Sequence, residues 1–502
     1  MEFTPMTIIR CLLLLTLAGM LSLTAGVAMA QHDTGSGGGA TSGGATSGGE
    51  STSRAPVRRT TTRRPATARK PTAPVRRGIT AEQYNKQGDD FFEAKEYDDA
   101  LEAYAKAVQL KPIAGAYYHM GWIYNDREDY DQAIAALQQS VRLNPNDAVA
   151  IKELGYAYRS LKRYPEALDA YRRAISIRRD YATAYYEIGW IYNDQGQYSQ
   201  AIEPLRQAAS FKANYAEAQE ELGYAYYKLE RSQEAIAAYR SAVSMKPDFG
   251  LAYIGLGDVF YYQTKQYRDA AQAYREGVRY KDDNPTAFYN LAWCSNELDQ
   301  FADAARAAKQ AIALKANYPE AYAELGYANR KLKLTNEAIA AYREAIRLKP
   351  NYGLAYTGLA DVYYDMKQYQ QAIEPYQQSI GISPNNVRVR YNLGWIYNDL
   401  SRYAEAAEQL KEAARLKPEA YDAHSELGFA YLKLHRLPMA AEELRTAIRL
   451  KNDYATAHYH MGLLYIEQRN KAGAQAEYVI LQRLDRDLAK KLFDAAPPNM
   501  RN

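Results

Sequence analysis

Cysteine, histidine and tryptophan are scarce in this chain, at two, six and four residues of 502. Cys11 lies in an apolar leader and Cys294 in the interior, so the mature chain has no pair of thiols for a disulfide. Cys294 falls at a helical position that should be buried, with no histidine close in sequence, and reads as a packed thiol. His458 and His460 stand two apart, on different sides of a helix, while His119, His424 and His435 are isolated, so no metal site is expected. Gly-x-Ser-x-Gly, His-Glu-x-x-His and a phosphate loop with Gly-Lys-Ser/Thr are missing. Neither a cofactor nor a catalytic group is expected. After residue 30 no apolar run of spanning length occurs, so the remainder should be water-soluble.

Acidic residues are scarce only at the start. Residues 1–80 carry a net +7 within an overall +4, leaving −3 for the rest of the chain. Arg10, the uncharged run from Cys11 to Ala30 and the small-x-small end Ala28-Met29-Ala30 form the pattern of a secretory signal peptide, residues 1–30. An uncleaved anchor is the competing reading, because twenty residues also suffice to span a bilayer. Residues 31–80 read as a disordered tether, first Gly/Ser/Thr and then Arg/Pro/Thr. Arg54–Arg77 holds nine basic residues and no acidic one, suited to an anionic envelope polymer or lipid. A solvated spacer is the plain alternative. Nucleic acid is not expected as a partner, since no aromatic residue is interleaved to stack on bases.

What is abundant is tyrosine, with 47 residues, and a phrase. Gly121-Trp122-Ile123-Tyr124-Asn125-Asp126 recurs verbatim at Gly189 to Asp194 and at Gly394 to Asp399, with a degraded copy from Ala292 to Glu297. Every tryptophan is the second residue of one of these copies. The first Gly marks a period of 34 that runs through Gly88, Gly155, Gly223, Gly257, Gly326, Gly428 and Gly462. An alanine stands twelve residues after every marker, allowing one inserted residue before Ala270. Glycine within a helix costs on the order of 1 kcal/mol relative to alanine, so so many are tolerable only where helices approach closely. Each period supplies two amphipathic helices, for example Leu222, Tyr226 and Leu229 on one and Ile236, Tyr239 and Val243 on the next. Pro112, Pro145, Pro247, Pro350, Pro384 and Pro418 end second helices. Such pairs bury their apolar faces only by stacking.

These small residues, the prolines and aromatics such as Tyr124 and Tyr158 resemble the pattern of the tetratricopeptide repeat family. The resemblance implies an all-α fold, an α-solenoid of about twelve helix-turn-helix units over residues 81–486, wound as a right-handed superhelix. It also implies a concave groove lined by first helices, used to bind a protein or an extended peptide. Residues 487–496, with Leu488 and Leu492 one turn apart, read as a C-terminal capping helix, and 497–502 as a tail that Pro497-Pro498 begins. Three unit types rotate with a spacing of about 102 residues, beginning GWIYND, ELGYAY and GLGDVFYY at residues 189, 221 and 255. Growth by copying three-repeat blocks explains that order.

The family's ninth position carries Trp122, Tyr156, Trp190, Tyr224, Trp293, Tyr327, Trp395 and Phe429, and its fifth carries Tyr118, Tyr186, Tyr289 and Tyr391. Helical spacing puts both on one face, as an aromatic-lined groove. Asn125, Asn193 and Asn398 add polar groups at the groove edge, with helix termination as their plain explanation. The rings suit clamping a peptide, stacking sugars, or packing between neighbouring first helices. The expected role is a non-enzymatic scaffold of the bacterial cell envelope. A module for glycans or cell-wall polymer is the alternative, and the helical part of a system like O-linked N-acetylglucosamine transferase a weaker one.

Overall fold

The computed structural model describes residues 78–501, and among these the ordered elements are helices joined by short turns. The signal pattern, most of the tether and the arm Arg54–Arg77 lie outside the described residues. The chain divides into two compact parts, Met1–His119 and Met120–Asn502.

In the first part, Thr80 opens the helix Ala81–Glu93 with a capping box, its hydroxyl accepting from the Gln83 backbone while Gln83 returns the bond. Tyr97–Leu110 follows as the antiparallel partner. A Cβ on Gly88 would lie 2.5 Å from Cε1 of Tyr104, so the missing side chain is what lets that ring sit between the two helices.

The second part repeats this arrangement. Its first helices include Ala148–Ser160, Ala182–Asp194, Ala216–Lys228, Pro285–Glu297, Pro319–Lys331, Val387–Asp399 and Tyr421–Lys433, each followed by a second helix of 14 residues. The marker glycines again accommodate a side chain of the second helix: a Cβ on Gly189 would lie 2.4 Å from Leu205 Cγ, and one on Gly394 2.5 Å from Leu410 Cγ. The alanine twelve residues further on is fully buried in repeat after repeat. Each turn inside a repeat passes through one residue with φ between 56° and 72°, and at Gly196 alone is that residue glycine. The named prolines lie two residues beyond second helices, as expected. Second helices pack against the first helix of the next repeat, and adjacent first helices also touch, so first helices share one face.

Two features vary the repeat. The residue inserted before Ala270 is absorbed inside a first helix, where Gly250–Asp258 passes into a π-turn at Val259–Gln263, closed by Thr264 N–H to the Val259 carbonyl at 3.1 Å. At the C-terminus, Asp485 caps Arg486–Ala495 through two backbone N–H groups, and Leu492 fills the notch at Gly462 that a second helix fills elsewhere. The capping helix is therefore present and ends before the prolines, and in the tail Pro498–Arg501 forms a further turn that buries Met500 against Ala474 and Ala496.

Candidate functional site

The ninth-position rings of Trp122, Tyr156, Trp190, Tyr224, Tyr327, Trp395 and Phe429 are half-buried. Five of them are covered by the aromatic residue that opens the second helix of the preceding repeat. Tyr130 meets Tyr156 edge-on at 6.3 Å, Tyr198 meets Tyr224 at 5.9 Å, Phe301 meets Tyr327 at 6.2 Å, Tyr369 meets Trp395 at 5.4 Å and Tyr403 meets Phe429 at 6.1 Å. Such T-shaped pairs are worth about 0.5–1.5 kcal/mol beyond buried area. Trp190 is instead covered by the Arg159 guanidinium, 4.6 Å from its ring centre. Trp293 leaves the groove altogether. It is 4 % exposed, held edge-on by Tyr261 at 5.0 Å and Tyr267 at 4.9 Å, because the π-turn carries Tyr261 onto its face. At the fifth position, Tyr186 and Tyr289 tilt against Tyr215 and Tyr318 of the next repeat, and Tyr391 packs by Ala413 and Ala420. Burial raises all three phenols well above their ordinary range, so they are neutral. Tyr118, in the first part, is half-buried with its ring against His119.

The asparagines are not free groups at a groove edge. Asn125, Asn193 and Asn398 are buried, and each reaches 28 residues ahead to the first helix of the next repeat. Asn193 Nδ2 donates to the Glu221 carbonyl at 3.0 Å and to its carboxyl at 2.8 Å, and Asn398 Nδ2 to the Glu426 carbonyl at 3.0 Å and carboxyl at 2.9 Å. Asn296 makes the same bonds to Glu324 at 3.1 and 2.8 Å. Sequence reading missed this clamp. Its signal is that the Asn of each GWIYND falls 28 residues before the Glu of the ELGYA or ELGFA that follows. Burial pushes the Glu221 and Glu426 carboxyls up to about 7, against the lowering effect of the asparagine bonds.

A second polar centre lies on the same face. Asp361, 2 % exposed, accepts from Tyr376 Oη at 2.6 Å and from the guanidinium groups of Arg330 and Arg388 at 3.1 Å, one from each flanking repeat. A carboxylate so buried persists because it is paired twice and hydrogen-bonded. Tyr376 in turn accepts from Asn392 Nδ2 at 3.2 Å.

His458 and His460 serve packing. His458 Nδ1 is 2.6 Å from Glu477 and its Nε2 2.9 Å from the Asn452 carbonyl, while His460 lies on Ser425 in the neighbouring repeat. Burial pushes the Cys294 thiol far above its ordinary value, which leaves it un-ionised and inert. Among the described residues no group of three or more His, Cys, Asp or Glu is placed to hold a metal ion, and no helix is long and apolar enough to cross a membrane. A cavity of about 690 Å³ opens elsewhere, between Gln138, Arg142, Tyr158 and Arg173 of the second and third repeats.

Sequence profiles described as tetratricopeptide repeat match residues 113–180 and 147–212, and 186–249, 220–276 and 254–299. One described as TPR repeat matches 335–367, 360–397 and 394–434. No curated protein matches the chain. Among solved structures it is similar in fold to MamA, at 24 % identity over 34 % of this chain and 92 % of that one, with a TM-score of 0.31. It is also similar to YrrB, described as a TPR protein with an unusual peptide-binding site, at 20 % identity over 37 % and 96 %, with a TM-score of 0.34. A third, pilF of Pseudomonas aeruginosa, shows 18 % identity over 41 % and 94 %, with a TM-score of 0.38. The repeat profiles together span more than half of the sequence, over helix pairs that recur with glycine notches in the fold: the chain belongs to the tetratricopeptide repeat family.

Proposed function

We propose that this chain is a scaffold without catalytic activity, holding an extended segment of a partner protein along the face made by its first helices. The observation that supports this most is the recurrence on that face of half-buried rings beside polar centres, from Tyr156 through Trp190 and Tyr224 to Trp395 and Phe429. Half-exposed aromatic edges are what an extended peptide uses, its apolar side chains seated between the rings. Edge-on packing of the same rings leaves no flat platform for sugars, which weakens the glycan reading. We also propose export to the cell envelope, supported by the pattern of residues 1–30, with Arg54–Arg77 free to meet an anionic polymer or lipid.

The test is selection of peptide ligands against the full chain from a displayed library, followed by hydrogen exchange with and without ligand. Added protection is expected in first helices such as Ala182–Asp194 and Val387–Asp399. Ligands that protect second helices alone would overturn the reading. Mass spectrometry of the mature chain should find Gln31 at its start, and a start at Met1 would replace the secreted form with an anchored one.

A further inference from the structure

Asp258 and Asp361 occupy the same place in repeats one block apart, and the structure builds around them the same relay. Asn290 Nδ2 donates to Tyr274 Oη at 3.1 Å and Tyr274 Oη to Asp258 at 2.6 Å, matching Asn392, Tyr376 and Asp361 at 3.2 and 2.6 Å. The surroundings then diverge. The residues that supply Arg330 and Arg388 to Asp361 correspond, one block earlier, to Tyr227 and Thr286. Asp258 has no ion pair among the described residues, and Tyr274 is its one hydrogen-bond donor there. Lys228, in the preceding repeat, is exposed and turned over the rings of Tyr224 at 5.3 Å and Tyr227 at 5.7 Å.

Three further observations concern the same place. The π-turn begins at the residue after Asp258 and presents Tyr262, 44 % exposed, where Asp365 binds Arg330 in the later block. Asn290 is fully buried and its Oδ1 lacks a hydrogen-bond partner, although its amide nitrogen reaches both Tyr274 and Tyr262. Glu220, half-buried one repeat earlier, likewise has no hydrogen-bond or ion-pair partner among the described residues, and burial raises its carboxyl well above the usual range. A carboxylate prepared by a hydrogen-bonded relay and left without its counter-ion is an acceptor for a planar, charged fork, and aromatic walls favour guanidinium over ammonium.

We propose that Asp258, walled by Tyr227 and Tyr262, receives the guanidinium of an arginine carried by a bound peptide, taking from outside the place that Arg330 and Arg388 fill from inside at Asp361. This deepens the peptide-scaffold reading and rests on it.

The probe is a fluorescein-labelled peptide of five arginines, titrated by anisotropy against the full chain, with five-lysine and five-citrulline peptides beside it. Asp258→Asn is expected to weaken the arginine peptide at least tenfold, whereas Asp399→Asn, at an exposed carboxylate, leaves it unchanged. The lysine peptide should bind more weakly than the arginine peptide, and the citrulline peptide not measurably. Tyr227→Arg, which rebuilds the Arg330 arrangement, should lose the probe as fully as Asp258→Asn while melting no lower than wild type. Equal binding by Asp258→Asn and Asp399→Asn, or wild-type binding by a folded Tyr227→Arg, overturns the site. If selected peptides still protect the first helices when Asp258→Asn has no effect, the arginine site alone falls. If they protect second helices only, the scaffold reading falls with it.

Discussion

Replacing Glu426 by glutamine should make this protein more stable at pH 8 and leave it nearly unchanged at pH 5. Glu426 is 7 % exposed, and burial lifts its carboxyl from about 4.5 to about 7 despite the Asn398 bond. A folded pKa above the unfolded one means that stability is fully present below about 4.5 and is lost as pH rises through about 7. The shift corresponds to about 3 kcal/mol at most, at roughly 1.36 kcal/mol per unit. Glutamine keeps an oxygen to accept from Asn398 Nδ2 and adds a donor beside the Asn398 Oδ1, which is buried without a partner. Its side chain carries no charge to desolvate at any pH. Thermal melts of both proteins at pH 5 and 8, at one ionic strength, give the difference between them, in which titrations elsewhere cancel. Hydrogen exchange across Tyr421–Lys433 localises it. A gain of about 2–3 kcal/mol at pH 8 that shrinks below 1 kcal/mol at pH 5 is expected from that shift. A difference independent of pH, or a loss at pH 8, would refute the argument that the carboxylate is strained by burial.

Asn193→Ala removes both clamp donors to Glu221 and should cost about 1–3 kcal/mol, read from denaturant melts, with exchange rising in the helices on both sides of that junction. Gly394→Ala places a Cβ 2.5 Å from Leu410 Cγ and should cost about 1–3 kcal/mol; in a double-mutant cycle with Leu410→Ala the two losses should fall short of additivity. Trp293→Ala should cost about 3–5 kcal/mol, well above Trp395→Ala, whose ring is only half-buried, and equal losses would contradict the burial difference. His458, whose pKa is raised by its bond to Glu477, contributes stability below pH 6.5 that is lost as pH rises through the raised value. His458→Gln should therefore be more destabilising at pH 6 than at pH 9 in paired melts.

Much of the fold was legible because its determinants are local and periodic. A helix pair needs a notch wherever a bulky residue of its partner crosses it, and glycine or alanine at 34-residue intervals states that need in one letter. The groove was legible only as a face. Trp293 shares its column with Trp190 and Trp395, yet its exposure is decided by Tyr261, which reaches it only because one inserted residue enters a helix as a π-turn. An insertion is visible in the chain; whether a loop or a helix absorbs it depends on the packing of Val259 and Phe260 into the core. The clamp was hidden for a different reason. Asn193 and Glu221 each have an adequate local explanation, as helix end and solvated charge, and their 28-residue spacing acquires meaning only once adjacent first helices are known to touch at those two points.

That clamp makes the repeats unlike interchangeable beads. A GWIYND repeat carries a plug, its asparagine amide, and an ELGYA repeat carries the socket, while Gly255 and Gly358 stand where the next socket would be and receive Tyr239 and Tyr342 in its place. An engineer who strings together copies of the repeat that opens with Val387–Asp399 would bury a plug with no socket at every joint, because Asn392 stands at its socket position. Cutting at the glycine-notched joints moves three repeats at a time and leaves every plug seated.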